Sequence, residues 1–273
     1  MLFDAHLNGA ALSARDVADL RFFGVVGALF PLAAAGPVSA GGLRRGWEEA
    51  SLEVTRLRRA GLGAFAALSI PPGRIPARGA EALLAELPEW LSRQGVAAIG
   101  PVGPGDGTPR EEELFSRQLE MAALLRRPVL VAAPARDPVR GTRRAVAVLR
   151  ESGVAPERVL VDGAVAGTVR ILRAVGYCAV LSLSTGRGGL DVAARLVRSL
   201  GPEGIALASH AGDGLGDLLA LPRAADRMAR LGLSGAVIRR VCGRNALAAL
   251  GLEPAGLRSA AAPSARSARR TSR

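Results

Sequence analysis

Short apolar segments alternate with amphipathic segments along most of the chain. Eight of the apolar segments predict β-strands, at residues 2–7, 25–31, 63–70, 96–102, 128–133, 159–162, 177–182 and 204–209. Several are continuous runs of small aliphatic residues, which is typical of parallel strands that are buried on both faces.

The amphipathic segments predict helices with recognisable ends. They cover residues 43–59, 80–93, 140–152, 164–175 and 190–200, with two more after the last strand at 217–230 and 234–250. Ser13 caps a further helix that runs to Arg21, and Pro88 is expected to kink the helix over 80–93. Thr108 and Glu111 form a capping box at the start of another helix.

Strand–helix alternation with such short connections predicts a parallel sheet. Eight units favour an α/β fold that closes into a single (β/α)8 TIM-type barrel over residues 1–257, with extra C-terminal helices. A doubly wound open sheet is the alternative. Aromatic residues make up only 3% of the chain, so the core must be built from Ala, Val, Leu and Ile.

The formal charge of +12 would ordinarily indicate a polyanionic partner. However, all 36 basic residues are Arg, which indicates a compositional bias rather than a binding surface. Residues 258–273 are rich in Arg, Ser and Ala and contain no large apolar residue, so we expect a disordered basic tail. That tail is either simply solvated or a basic tether for anionic partners.

Three features of the sequence favour a cytoplasmic location. Cys178 and Cys242 lie in apolar stretches and predict two reduced, buried thiols. The N-terminus has Asp4 and His6 where a secretory signal would be basic and then apolar. The apolar segment 24–35 is too short to cross a membrane, and we expect no membrane association.

The first predicted strand carries polar side chains at alternate positions, which are Asp4, His6 and Asn8. Because side chains alternate along a strand, these three are expected to point the same way. A carboxylate and an imidazole at a strand end are typical of the start of a divalent metal site.

Several motifs resemble those of the TatD-like hydrolases, which belong to the amidohydrolase-type barrels. They are Asp4-Ala5-His6 after the first strand, then residues 96–103, 110–113, 118–122, 128–131 and 241–246, in the family's order. The resemblance implies a barrel that holds one or two divalent ions at its carboxyl-terminal mouth. It also implies hydrolysis of phosphoesters, often in DNA, and hence a deoxyribonuclease-like activity.

The chain departs from the ligand pattern that the resemblance implies. The positions where the family has ligands are occupied instead by Asn8, Pro71, Pro101, Ala132, Gly163 and His210. Alanine, glycine and proline offer no side-chain ligand, so two ions bridged by a carboxylate are not expected.

A smaller ligand set remains at the mouth. His6 and His210 are the only histidines, and closure of the barrel would make the first and eighth strands neighbours. With Asp4 they would give two imidazoles and a carboxylate, which suit one zinc, manganese or magnesium ion. Asp213 is a candidate fourth ligand or catalytic base. The alternative is a metal-free site in which Asp4 and His6 are held by hydrogen bonds.

A glycine-containing loop follows the seventh predicted strand. Ser184, Thr185 and Arg187 in this loop are candidates for binding a substrate anion, since such loops in barrels often bind phosphate. A flexible loop without a ligand is the alternative. The segment 103–107, which contains Asp106, is interpreted as a plain turn.

Two functions therefore stay open at the level of sequence. The first is a divergent hydrolase of a small-molecule or nucleic-acid phosphoester, with one ion on Asp4, His6 and His210 and with Asp213 as base. The second is a non-catalytic pseudoenzyme barrel that binds an anionic ligand through Arg187, or a protein partner. The sequence indicates neither a particular substrate nor an oligomeric state.

Overall fold

Eight parallel strands follow one another around the sheet in chain order. The computed structural model describes residues 1–8, 12–31, 38–134, 136–184, 189–212, 216–254 and 257. The strands are β1 (Leu2–Asp4), β2 (Val25–Pro31), β3 (Gly63–Leu68), β4 (Val96–Val102), β5 (Val129–Ala132), β6 (Val159–Ala164), β7 (Cys178–Ser182) and β8 (Ile205–Ala208). All eight predicted strands are confirmed.

Backbone hydrogen bonds bring the last strand back to the first. Ala5 donates to the Leu207 carbonyl over 3.2 Å, His210 donates to the His6 carbonyl over 3.0 Å, and Asn8 donates to the Ala211 carbonyl over 2.8 Å. The sheet therefore closes into a barrel, as predicted, and the alternative of a doubly wound open sheet is wrong.

Helices alternate with the strands around the outside of the barrel. They are α1 (Ala14–Phe22), α2 (Ala40–Arg59), α3 (Ala80–Ser92), α4 (Pro109–Leu124), α5 (Pro138–Glu151), α6 (Ala166–Ala174), α7 (Gly189–Leu200), α8 (Ala220–Arg230), α9 (Gly235–Arg239) and α10 (Asn245–Ala249). Ser13 caps α1 and Thr108 caps α4, both in complete capping boxes. Among the described helices none is both long and apolar enough to cross a membrane.

The barrel interior is filled by small and medium apolar side chains from every strand. They include Phe3, Leu29, Phe65, Ala98, Leu130, Leu160, Cys178, Val180, Ala206 and Ala208. Side chains from the C-terminal helix α10, among them Ala246 and Leu247, join the same cluster. Alanine is frequent here because an eight-stranded barrel leaves just enough room for side chains to fill it.

Two expectations from the sequence need correction, and a third concerns residues outside the described part of the chain. The first strand was expected over 2–7, but β1 ends at Asp4 and residues 5 and 6 form a bend. The helix expected over 234–250 is interrupted by a π-helical turn, Arg240–Arg244. Gly243 lies in this turn, and a β-carbon added to it would lie 3.2 Å from the backbone nitrogen of Phe3. The tail, 258–273, lies outside the described residues. Cys178 and Cys242 are free and buried, as predicted.

Candidate metal centre

Two histidines and an aspartate meet at the carboxyl-terminal mouth of the barrel. The Nδ1 atom of His6 lies 2.6 Å from Oδ2 of Asp162, and the Nε2 atom of His210 lies 3.2 Å from Oδ1 of the same carboxylate. One ligand atom from each residue lies within 4.8 Å of the other two. The cluster thus joins β1, β6 and β8 at their carboxyl ends.

Asp162 reaches this position because of its place on β6. Leu160, two residues earlier, faces the barrel interior, so Asp162 faces inward one step nearer the mouth. Gly163 has a φ of 76°, and the pairing of β6 with β7 shifts between Asp162 and Ala164. The irregularity lets the Gly163 N–H donate to Asp162 Oδ1 over 2.8 Å, which helps to fix the carboxylate.

The cluster determines the ionisation of its carboxylate. Burial alone would raise the pKa of Asp162, but the adjacent His6 and His210 imidazoles outweigh it and hold the pKa well below its usual range. Asp162 is therefore a carboxylate at neutral pH. Because a carboxylate only accepts hydrogen bonds, the two facing ring nitrogens donate in this arrangement.

His210 adopts an unusual backbone conformation. Its φ of 52° lies in the left-handed region, which residues other than glycine rarely occupy. The hydrogen bond from its N–H to the His6 carbonyl holds it there. The two imidazole rings lie 4.1 Å apart between centroids and are tilted by 40°. Such strain is typical of functional sites, where the surrounding structure maintains it.

Asp4 lies beside the cluster rather than in it. Its neighbours Phe3 and Ala5 face the barrel interior, and Asp4 is not one of the three clustered residues. Its Oδ1 accepts hydrogen bonds from the His6 N–H over 3.1 Å and the Ser209 N–H over 3.0 Å. Burial raises the pKa of Asp4, against hydrogen bonds from Ser209 and His6 that lower it. β1 ends at Asp4, so the strand alternation behind the expectation that Asp4, His6 and Asn8 share one face does not extend to His6 and Asn8.

Of the remaining candidate site residues, some lie in the described part of the chain and others lie outside it. Ser184 lies at the mouth after β7, and its hydroxyl is 2.9 Å from that of Ser182. Thr185, Arg187 and Asp213 lie outside the described residues. The segment 103–107 includes a turn in which Gly107 N–H donates to the Pro104 carbonyl over 2.8 Å.

His6 and His210 lie together as predicted, and Asp162 is a third member of the cluster that was not predicted from the sequence. The strand predicted over 159–162 ends at Asp162, and the family resemblance points to Gly163 rather than to Asp162 as the ligand position. The signal available was alternation along β6, since Leu160 and Asp162 share a face.

Comparisons with known proteins support the same kind of barrel. No family model matches the chain. An uncharacterized metal-dependent hydrolase of Methanocaldococcus jannaschii is 26% identical over 183 residues, which are 67% of this chain and 72% of that protein.

Solved structures extend the likeness to nearly the whole chain. A TatD-like protein from Archaeoglobus fulgidus matches with a TM-score of 0.76 and 21% identity, covering 92% of this chain and 100% of the other. A TatD homologue from Escherichia coli gives 0.64 and 18%, over 92% and 98%. The phosphotriesterase homology protein of Escherichia coli, solved with phosphate in its active site, gives 0.67 and 16%, over 89% and 96%. The resemblance is therefore confirmed: the chain has the barrel fold of TatD-like proteins, and its sequence is similar to that of a metal-dependent hydrolase.

Proposed function

We propose that this barrel is a hydrolase that uses one divalent ion, held by His6, Asp162 and His210, to cleave a phosphoester. The observation that carries the proposal is the convergence of these three side chains at the barrel mouth, within 4.8 Å of one another. Active sites of such barrels lie at this end.

The donor set fits a divalent ion. Two imidazoles and one carboxylate are a common set of protein ligands in catalytic zinc sites, which leave a further position open. Ligand atoms about 2.0–2.2 Å from zinc lie roughly 3.3–3.6 Å apart in a tetrahedral arrangement. An ion bound here would replace the hydrogen bonds of 2.6 Å and 3.2 Å, so the two facing ring nitrogens would lose their protons and both separations would widen slightly. The lowered pKa of Asp162 supplies the ionised ligand that a cation needs.

The sequence supports one ion rather than two. Where the resemblance implies further ligands, the chain has Pro71, Pro101, Ala132 and Gly163, whose side chains carry no ligand atom. The sequence predicts Asp4 as the third ligand, and that prediction stays untested; the proposal instead takes Asp162 as the third ligand.

The chain's own residues have distinct roles in the proposed reaction. An ion bound here would lower the pKa of a water molecule and stabilise negative charge on a phosphoryl oxygen. Before an ion binds, Asp162 orients both imidazoles by accepting a hydrogen bond from each of them. Ser184 offers its hydroxyl group to a substrate oxygen at the same mouth, and the buried Ser182 hydroxyl pairs with it. Asp213 as base, and Thr185 and Arg187 as anion-binding residues, belong to this proposal as predictions.

Two further considerations support a phosphoester as the substrate, and a third supports the cytoplasm as the location. The structurally similar phosphotriesterase homology protein carries phosphate in its active site. Barrels commonly bind phosphate with the loop after the seventh strand, which here contains Ser184. Both cysteines are free thiols, which suits a reducing compartment. A nucleic-acid phosphodiester and a small phosphoester are both within the proposal.

A non-catalytic barrel is the second candidate, and one observation favours it. The Asp162 carboxylate already accepts a hydrogen bond from each histidine, so both of its oxygens are paired without an ion. In that case the mouth would bind an anion without cleaving it.

Hydrolysis of bis(p-nitrophenyl) phosphate and p-nitrophenyl phosphate distinguishes the two candidates. The protein is freed of metal with a chelator and assayed with added zinc, manganese or magnesium. The proposal predicts ion-dependent turnover that falls about tenfold or more in His6→Ala and His210→Ala. Asp226→Asn, on the exposed surface of α8, is the matched control and should retain full activity. Turnover that persists in both histidine variants would contradict the proposal.

A further inference from the structure

A single buried carboxylate oxygen connects the two strand ends that carry the histidines. Asp4 Oδ1 accepts hydrogen bonds from the N–H of His6 over 3.1 Å and from the N–H of Ser209 over 3.0 Å. The first donor is itself a residue of the cluster, and the second immediately precedes His210. Asp4 therefore holds one strand end against the other.

The bond to His6 belongs to a short chain of contacts across the seam between β1 and β8. The His6 carbonyl accepts from the His210 N–H over 3.0 Å, so the His6 backbone is held at both its nitrogen and its oxygen. Loss of the Asp4 contacts would release the His6 nitrogen and the backbone just before His210. These two backbone segments carry the imidazole rings, which lie 4.1 Å apart between centroids.

The burial of Asp4 argues against a role in packing alone. The residue is 1% exposed, and its second oxygen, Oδ2, has no hydrogen-bond partner within the described part of the chain. Burying a carboxylate with an unsatisfied oxygen is costly, and an apolar residue of similar size would avoid that cost. The acceptor function of Oδ1 is what such a residue could not replace.

We infer that Asp4 is the positioning residue of the metal centre, setting the distance between His6 and His210 by fixing the ends of β1 and β8 to one oxygen atom. The inference rests on the proposed function in so far as the cluster binds an ion. Asp4 itself touches neither the substrate nor the reacting atoms in this account.

Two substitutions of Asp4 distinguish the role of its hydrogen-bond acceptor from the role of its negative charge. Asp4→Asn keeps a carbonyl oxygen that can accept from both N–H groups, whereas Asp4→Leu keeps the size and removes the acceptor. The matched control is Gln118→Leu. Gln118 is also 1% exposed, and it bonds both the N–H and the carbonyl of Ile70, far along the chain from the cluster.

The first readout is the binding of cobalt, which is monitored by the visible absorption of the bound ion. Asp4→Leu should weaken cobalt binding about tenfold or more and change the spectrum, while Asp4→Asn should change the affinity by less than about threefold. Gln118→Leu should lower the melting temperature but leave affinity and spectrum unchanged. A wild-type affinity in folded Asp4→Leu would overturn the inference, and so would a tenfold loss in Asp4→Asn.

The second readout uses the metal-free protein, so that it is independent of the proposed function. The imidazole N–H of His6 that faces Asp162 should give a protected proton resonance in the wild type, Asp4→Asn and Gln118→Leu. Its loss in Asp4→Leu is the expected result, and its retention there would contradict the inference. If the wild type binds no cobalt but the resonance behaves as expected, the proposed function fails and the positioning role of Asp4 stands.

Discussion

The Nδ1 atom of His6 lies 2.6 Å from Oδ2 of Asp162, although the two residues are separated by 156 positions in the chain. This contact joins the first strand of the barrel to the sixth across its mouth. His210 reaches the other oxygen of the same carboxylate at 3.2 Å. Asp162 is thus shared by the only two histidines of the chain, and its loss should affect both.

Replacement of Asp162 by Asn removes the negative charge while retaining the size of the side chain. We expect zinc affinity to fall about tenfold or more, because one anionic ligand and the partner of both imidazoles are lost together. Isothermal titration calorimetry measures the change, with Asp226→Asn as the exposed control. Equal affinities in the wild type and Asp162→Asn would exclude Asp162 from the site.

Gly163 should be sensitive to substitution because of its backbone. Its φ of 76° is unfavourable for a residue with a side chain, so Gly163→Ala should lower the free energy of unfolding by about 1–2 kcal/mol. It should also weaken metal binding, since it alters the backbone that carries Asp162. The matched control is Gly24→Ala, with a φ of 85° and nothing within 4 Å of the added carbon. Gly24→Ala should show a similar loss of stability with unchanged metal affinity. If both variants lost metal affinity to the same extent, the effect of Gly163→Ala would not arise from the backbone at Asp162.

The capping box of α4 should contribute measurably to stability. Thr108 accepts a hydrogen bond from the Glu111 N–H, and Glu111 accepts one from the Gly73 N–H in the loop after β3. Thr108→Ala should therefore lower the free energy of unfolding by about 1–2 kcal/mol in urea denaturation. Thr55→Ala, at an exposed position within α2, should change it by less than about 0.5 kcal/mol. Indistinguishable values for the two variants would mean that the cap is not important.

The two cysteines should be unreactive in the folded protein. Burial raises the pKa of both Cys178 and Cys242 to about 12, so almost no thiolate is present at pH 8. A colorimetric thiol reagent should detect no reactive thiol at that pH until urea unfolds the chain, when both should react. Rapid labelling of either residue before unfolding would show that its surroundings are more open than the structure indicates.

The strand pattern predicted the barrel, because eight apolar segments and short connections leave few ways to arrange a parallel sheet. Closure of that sheet also placed His6 next to His210, which sequence distance alone would not indicate. Alternation along β6 already places Asp162 on the same face as Leu160. The shift in pairing at Gly163, which helps to fix the carboxylate, depends on the neighbouring strand β7 and leaves no mark in the apolar pattern. Asp4 lies beside the cluster of His6, Asp162 and His210, and the alternation that linked it to His6 ends where β1 bends.

The central claim is that His6, Asp162 and His210 hold one divalent ion. Its most direct test is the metal content of the purified, untagged protein by elemental analysis after incubation with zinc, manganese or magnesium, compared with a His6→Ala, His210→Ala double variant. We expect about one ion per chain in the wild type and none in the folded double variant. Absence of metal from the wild type, or equal content in both proteins, would contradict it.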